Sequence, residues 1–215
     1  MDDEIRFLRE LMRVVIMVVG AVWLMIVITA KVFATTTYEP NTDYAALMID
    51  AAVEGDAEAG QAAEAARNAK IDALGLADEY PYIAWDDLFL LAKIMFAEAG
   101  SNWLTDEHRL YVGNVLLNRV ASSEFPDSIE ECLYQPGQYY GSGSVYFENL
   151  RPTEREVKLA LRLLEGERFM PLSVVFQSNE KQGSGIWLEI RDNLLGSTYF
   201  CYSSRRWLYE GDNDG

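Results

Sequence analysis

Histidine is almost missing from this 215-residue chain: His108 is the only one. A Ser-His-Asp triad or a multi-histidine metal centre therefore has little material, and His108 reads as a surface residue of a helix. Cysteine is nearly as scarce. Cys132 and Cys201 are too few for a disulfide framework or a zinc site, so no metal or cofactor is expected. The two could pair in an oxidising setting, but Cys132 lies in an apolar helical pattern and is expected as a buried free thiol. Positive charge is also in short supply, with 18 Lys and Arg against 34 Asp and Glu and a net charge of −16. No basic run exists to displace counterions from phosphates, which excludes nucleic acid as a partner.

The acidic excess is uneven. Residues 35–85 hold 10 acidic and only 2 basic side chains, while residues 1–34 hold 4 of each. Within that first stretch, residues 14–30 carry no charge at all. With Lys31 as a snorkelling flank, the run to residue 34 reaches the roughly 20 residues needed to span a bilayer core. Arg6, Arg9 and Arg13 precede the span and only Lys31 follows closely, which places the N-terminus inside. Val32-Phe33-Ala34 also fits a signal-peptidase site, so secretion after cleavage at Ala34 is the alternative. The chain thus divides into a cytoplasmic segment 1–13, a transmembrane signal-anchor 14–34, an acidic alanine-rich spacer 35–84, a folded domain 85–204 and a tail 205–215.

The spacer contains good helix formers from Ala62 to Leu74, with Gly75 able to stop them, and reads as a helical hairpin or a semi-rigid stalk. The folded domain opens on the stretch Asp86 to Gly100, read as a buried helix with Asp86 as N-cap and Gly100 as C′ residue. Leu88, Leu91, Met95 and Glu98 follow one another at helical spacing, which puts a carboxylate at the end of an apolar stripe. Burial and the negative end of the helix dipole both favour the protonated form, as a general acid near neutral pH requires. The competing reading is a Glu that reaches solvent past Gly100.

Thr105 can cap a second helix, Asp106 to Val120, on which Tyr111, Asn114 and Asn118 share one strip. Such a strip either satisfies its own hydrogen bonds or faces a cleft. Ser128 starts a short helix, and residues 135–144 form a turn-rich loop loaded with amides and aromatics. Thr153 to Glu156 is a capping box opening a helix that Gly166 stops. Three short strands follow, near 173–177, 186–190 and 198–202, and predict an α+β fold with a helical core and a small antiparallel sheet.

Several stretches share one pattern: Ala97-Glu98-Ala99, Gly113 to Val120, Phe125-Pro126, Tyr134 to Tyr139 and Tyr199-Phe200. In order and spacing, residues from about 88 to 202 resemble the SleB-type cell-wall hydrolase family, which includes spore-cortex-lytic enzymes. The resemblance implies a lysozyme-like fold related to lytic transglycosylases, peptidoglycan glycan strands as substrate, and Glu98 as the catalytic glutamate. Asn118 and Gln138 are then candidates for orienting acetamido groups or Glu98, Tyr139 for a wall of the groove, and Gln177 and Gln182 for closing it. The membrane span and the spacer lie outside the shared region, and no peptidoglycan-binding module is evident. A monomer is expected.

Hydrolytic glycosidases commonly use two carboxylates, and beside Glu98 the sequence offers only Asp106, Glu107 and Glu148. A lytic transglycosylase fits a single glutamate best. The rivals are a hydrolytic muramidase with a second carboxylate and a catalytically silent, membrane-tethered glycan-binding protein. The uncharged run at 14–30 makes a separate prediction: the protein should sediment with membranes and expose its folded domain outside. Protein in the medium beginning at Thr35 would instead identify Ala34 as a cleavage site.

Overall fold

The computed structural model describes residues 17–18, 38–139, 141–194 and 196–209. The expected signal-anchor at 14–34 lies outside the described residues apart from Met17 and Val18. Among the described residues, no helix is long and apolar enough to cross a membrane. The order of elements is helical first and β last, and the fold is α+β.

The alanine-rich stretch forms two helices, α1 (Tyr44–Glu54) and α2 (Ala57–Leu74). Asp43 and Asp56 cap them by accepting the N–H of Ala46 and Ala59 at 3.1 and 3.0 Å. The hairpin does not stand apart as a spacer. Met48, Ile49, Ala52 and Ala63 enter the same core as the later helices. Two contacts fix it there. The Trp85 indole donates to the Met48 carbonyl at 3.2 Å, and it lies so close to α2 that a Cβ at Gly60 would sit 2.2 Å from the ring. In addition, the Glu64 carboxylate accepts the backbone N–H of Trp85 at 2.8 Å.

That second contact corrects the start of the next helix. α3 runs Trp85–Ala99, with Ala84 in the cap position and no side-chain cap of its own. Asp86 and Asp87 lie inside its first turn, because Glu64 supplies from α2 the acceptor that Asp86 was expected to supply locally. Burial, reinforced by Asp86, Glu64 and Glu130, holds the Asp87 carboxyl above its ordinary pKa. Gly100 ends α3 in right-handed geometry, φ −71°, rather than as a left-handed C′ residue.

α4 (Asp106–Val120) is capped as expected, Thr105 Oγ1 accepting the His108 N–H at 3.2 Å. It packs so tightly on α3 and α7 (Glu154–Leu164) that a Cβ at Gly113 would meet Leu163 at 2.6 Å and Met95 at 2.8 Å. Between them lie the short helices α5 (Ile129–Leu133) and α6 (Val145–Asn149). His108 is not on the surface: it is buried edge-on to Phe200, at 5.9 Å between ring centroids.

The strands β1 (Val174–Ser178), β2 (Ile186–Asp192) and β3 (Gly196–Tyr202) form an antiparallel sheet in the order β1-β3-β2. β3 is central, and its Phe200 packs with Val174 against Tyr111 and Val115 of α4. A 3₁₀ turn, Arg206–Tyr209, brings the Tyr209 hydroxyl to 2.6 Å from Ser122 Oγ. Cys132 and Cys201 are both buried free thiols.

The loop between α3 and α4 is pinned from within. Arg109 donates from Nε to Glu156 at 2.7 Å, from Nη1 to the Leu104 and Thr105 carbonyls, and from Nη2 to the Ser101 carbonyl at 3.0 Å. Glu156 also closes the capping box of α7 by accepting from Thr153. Both side chains are fully enclosed. Glu156→Ala should therefore destabilise the protein by about 3–5 kcal/mol, the cost of leaving a buried charge without its partner. Urea unfolding should show that loss, with much of it recovered when Arg109→Met is added, because the apolar pair leaves no uncompensated charge.

Candidate active site

α3 delivers Glu98 in its last turn, immediately before the loop that Arg109 pins. Glu98 is exposed and does not continue the buried stripe, which ends at Met95 and resumes only at Ala99. Its carboxyl is nonetheless held above the ordinary glutamate value of 4.5, and desolvation is the sole cause. No neighbouring carboxylate contributes to the shift.

Tyr139 stands closest to Glu98 in its electrostatics. Burial raises the phenol's pKa, Arg119 opposes that, and Glu98 and Cys132 add to it. The phenol is thus kept neutral, and its buried hydroxyl has no partner among the described residues. Arg119 fixes the ring. Its guanidinium carbon lies 5.0 Å from the centroid of Tyr139 and 5.2 Å from that of Phe125, and its Nε donates to the Val175 carbonyl at 2.7 Å. The Nη1 of this buried residue is left without a partner. Beneath this group, Cys132 donates to the Pro126 carbonyl, and burial pushes its thiol up to about 11, so it is an inert packing residue.

Arg119 had a sequence signal only as part of Asn118-Arg119-Val120, where a cation in the last turn of a helix is unremarkable. Gln135 has a similar standing: its Oε1 is buried without a partner. Neither is recognisable as a site residue until the loop 134–139 is folded back towards α4.

The other expected site residues are scattered. Asn118 is fully buried, and its amide donates to the Pro171 and Val174 carbonyls at 2.8 and 2.9 Å while accepting from Asn114 at 3.0 Å. Asn114 in turn accepts the Phe169 N–H at 2.7 Å. The strip on α4 satisfies itself, and Asn118 braces the entry to β1 instead of facing a groove. Gln138 is exposed on the turn beside Tyr139. Gln177 lies on β1, two residues beyond the carbonyl that Arg119 holds, and its buried Oε1 is unpaired. Gln182 is exposed in the β1–β2 connection.

Two of the three alternative carboxylates are engaged elsewhere. Asp106 pairs with Arg155, and Glu107 accepts from the Tyr111 hydroxyl at 2.6 Å. Glu148 is exposed on α6; Lys93 holds its backbone carbonyl at 3.2 Å and leaves the carboxylate available as the rival second group. Among the described residues, no group of His, Cys, Asp and Glu is arranged to hold a metal ion.

The family model described as Cell Wall Hydrolase matches residues 105–201, from the cap of α4 to the end of the sheet. Over this stretch the chain is similar to the cell-wall hydrolase family. It is similar to the cell wall hydrolase CwlJ of Oceanobacillus iheyensis, 39% identical over 89 residues. It is also similar to the cell wall hydrolase CwlJ of Halalkalibacterium halodurans, 38% identical over 90 residues. Those stretches are 39% and 40% of this chain and 61% of each relative, so the chain spans under two thirds of the curated relatives it matches. No solved structure matches. The matched segment holds Arg119, Gln135 and Tyr139, whereas Glu98 lies seven residues before it.

The raised pKa of Glu98 gives a prediction about stability with a defined sign. The folded protein holds this proton more tightly than the unfolded chain does. Stability therefore falls as pH rises from 4.5 through the folded-state value, and stays lowered above it. Glu98→Gln removes that loss. The variant should unfold at higher urea than the parent at about pH 7, and the gap should narrow below pH 4.5 and close at about pH 3, where the carboxyl is protonated in the folded and unfolded chain alike.

Proposed function

We propose that the chain is a peptidoglycan-degrading enzyme that cleaves the β-1,4 bond between N-acetylmuramic acid and N-acetylglucosamine as a lytic transglycosylase. The observation that carries this reading is the placement of Glu98 in the last turn of α3, where desolvation raises its pKa with no contribution from a carboxylate among the described residues. The family match over residues 105–201 and the similarity to proteins named cell wall hydrolase supply the substrate class. On this reading the helical core is lysozyme-like, and segment 14–34 anchors the enzyme in the membrane with its catalytic domain outside.

The chemistry follows from one carboxyl acting twice. Protonated Glu98 donates to the bridging oxygen as the bond to the muramyl C1 breaks, releasing the 4-hydroxyl of the glucosamine unit. The carboxylate left behind takes the proton of the muramyl 6-hydroxyl, whose oxygen closes on C1. The product is a 1,6-anhydro sugar, no water is consumed, and Glu98 is protonated again. A tethered hydroxyl competes well with water because its translational entropy is already spent. Hydrolysis would need a base or nucleophile on the other face of the sugar, or a substrate acetamido group in that role. Tyr139, neutral and partly buried, suits a wall of the groove, and the adjacent Arg119 holds its ring.

Digestion of purified peptidoglycan, with half of the products treated with borohydride, tests the reaction type by mass spectrometry. Anhydro ends, about one water lighter than hydrolysed ends and resistant to reduction, are expected. Fully reducible muramic ends would establish hydrolysis instead. Glu98→Gln should lower wall clearing by at least about 10²–10⁴-fold, the usual contribution of a general acid. Clearing at near the parent rate would remove Glu98 from the mechanism.

A further inference from the structure

The acidic stretch 35–85 contains only two basic residues, Arg67 and Lys70, and both line one cavity of about 440 Å³. They are three residues apart on α2, hence on one face, which Ile71 continues as an apolar floor and Leu74 as an exposed apolar rim. The cavity opens beside the α1 N-terminus, with Tyr80 at its rim. Its size is that of a small-ligand site. None of its lining residues belongs to the group around Glu98.

The two cations are under-used. Arg67 is 7% exposed, and burial lowers its pKa despite the nearby Glu165. It has five N–H donors, yet among the described residues its one hydrogen bond runs from Nη1 to the Pro81 carbonyl at 2.9 Å. Glu165 lies 3.9 Å away, beyond hydrogen-bond reach. Lys70 spends one of its three donors on the Thr42 carbonyl at 3.1 Å. Asp43, also on the lining, is committed to capping α1. A desolvated guanidinium with spare donors opening into a cavity is a receptor for a planar anion. The carboxylates of Asp43 and Glu165 on the same lining disfavour a polyanion, so a single carboxylate fits better than a phosphate. The aliphatic side chains of Ile71 and Leu74 on the lining suit a short peptide with small side chains.

We infer that this cavity binds the C-terminal carboxylate of a short peptide, with Arg67 and Lys70 as its cationic partners and Ile71 and Leu74 beneath its side chains. In a wall-degrading enzyme the free termini of peptidoglycan stem peptides are that ligand, a clause that rests on the function proposed above. Holding the peptide branch of the polymer at α2 would raise the local concentration of its glycan strand at Glu98.

Titration calorimetry of the full chain with N-acetyl-D-alanyl-D-alanine tests this without any glycan, so glycosidase activity and peptide binding stand or fall separately. The free acid should bind saturably, and its C-terminal amide should bind on the order of tenfold or more weakly, because the charge-assisted bonds are lost. Arg67→Gln should weaken the acid to the same extent. Leu74→Glu, at an exposed rim position that does not threaten the fold, should do so too by placing a carboxylate over the cations. Equal binding of acid and amide, or no saturable binding of the acid at millimolar concentration, would overturn the inference.

Discussion

The buried pair of Arg109 and Glu156 is the constraint on which the rest of the molecule depends. A guanidinium enclosed by protein is tolerable only when its donors are matched, and here the matching is done by one carboxylate and by the carbonyls of Ser101, Leu104 and Thr105. Those carbonyls belong to the connection that follows Glu98. The same carboxylate closes the N-terminus of α7. The pair therefore ties together the loop that follows α3, the start of α4 and the start of α7. The end of α3 is rigid because the chain beyond it is tied down, and a carboxyl that must transfer protons needs that rigidity.

A second brace joins the helices to the sheet at the far end of α4. Asn118 holds the Pro171 and Val174 carbonyls, and Arg119 holds the Val175 carbonyl. Adjacent residues thus do different work. Asn118 is spent inside the core, while Arg119 has a free Nη1 and carries the ring of Tyr139. The phenol that faces Glu98 electrostatically is in this way fixed to the same helix whose other end pins the loop after Glu98. The site is built across α4 from both directions, and little of it depends on the exposed turns.

Local signals were legible in the sequence. Thr105 caps α4, the Thr153–Glu156 box opens α7, and the change of period after residue 172 marks the sheet, because each is decided by neighbours a few residues away. The failures are long-range. Asp86 is not the cap of α3, since Glu64 reaches across from another helix. His108 is buried because Phe200 covers it, which no pattern within α4 can reveal. Met48 and Ile49 draw an alanine-rich segment into the core, although its composition reads as a stalk. Within the site, the spacing that led to Glu98 assumed a buried stripe, whereas the carboxyl is exposed and desolvated by its surroundings. Asn118 and Arg119 could not be told apart from sequence, because one helical residue's difference in phase decides which faces the sheet and which faces the loop.

The account centres on a lone carboxyl whose surroundings hold its proton. Carbon-13 NMR titration of the Glu98 side chain, assigned by comparison with Glu98→Gln, measures that directly. A single transition with its midpoint above 4.5 is predicted, the direction that desolvation alone imposes. A midpoint at or below 4.5 would contradict the account, as would a titration in two steps, which would reveal a second carboxylate coupled to the first.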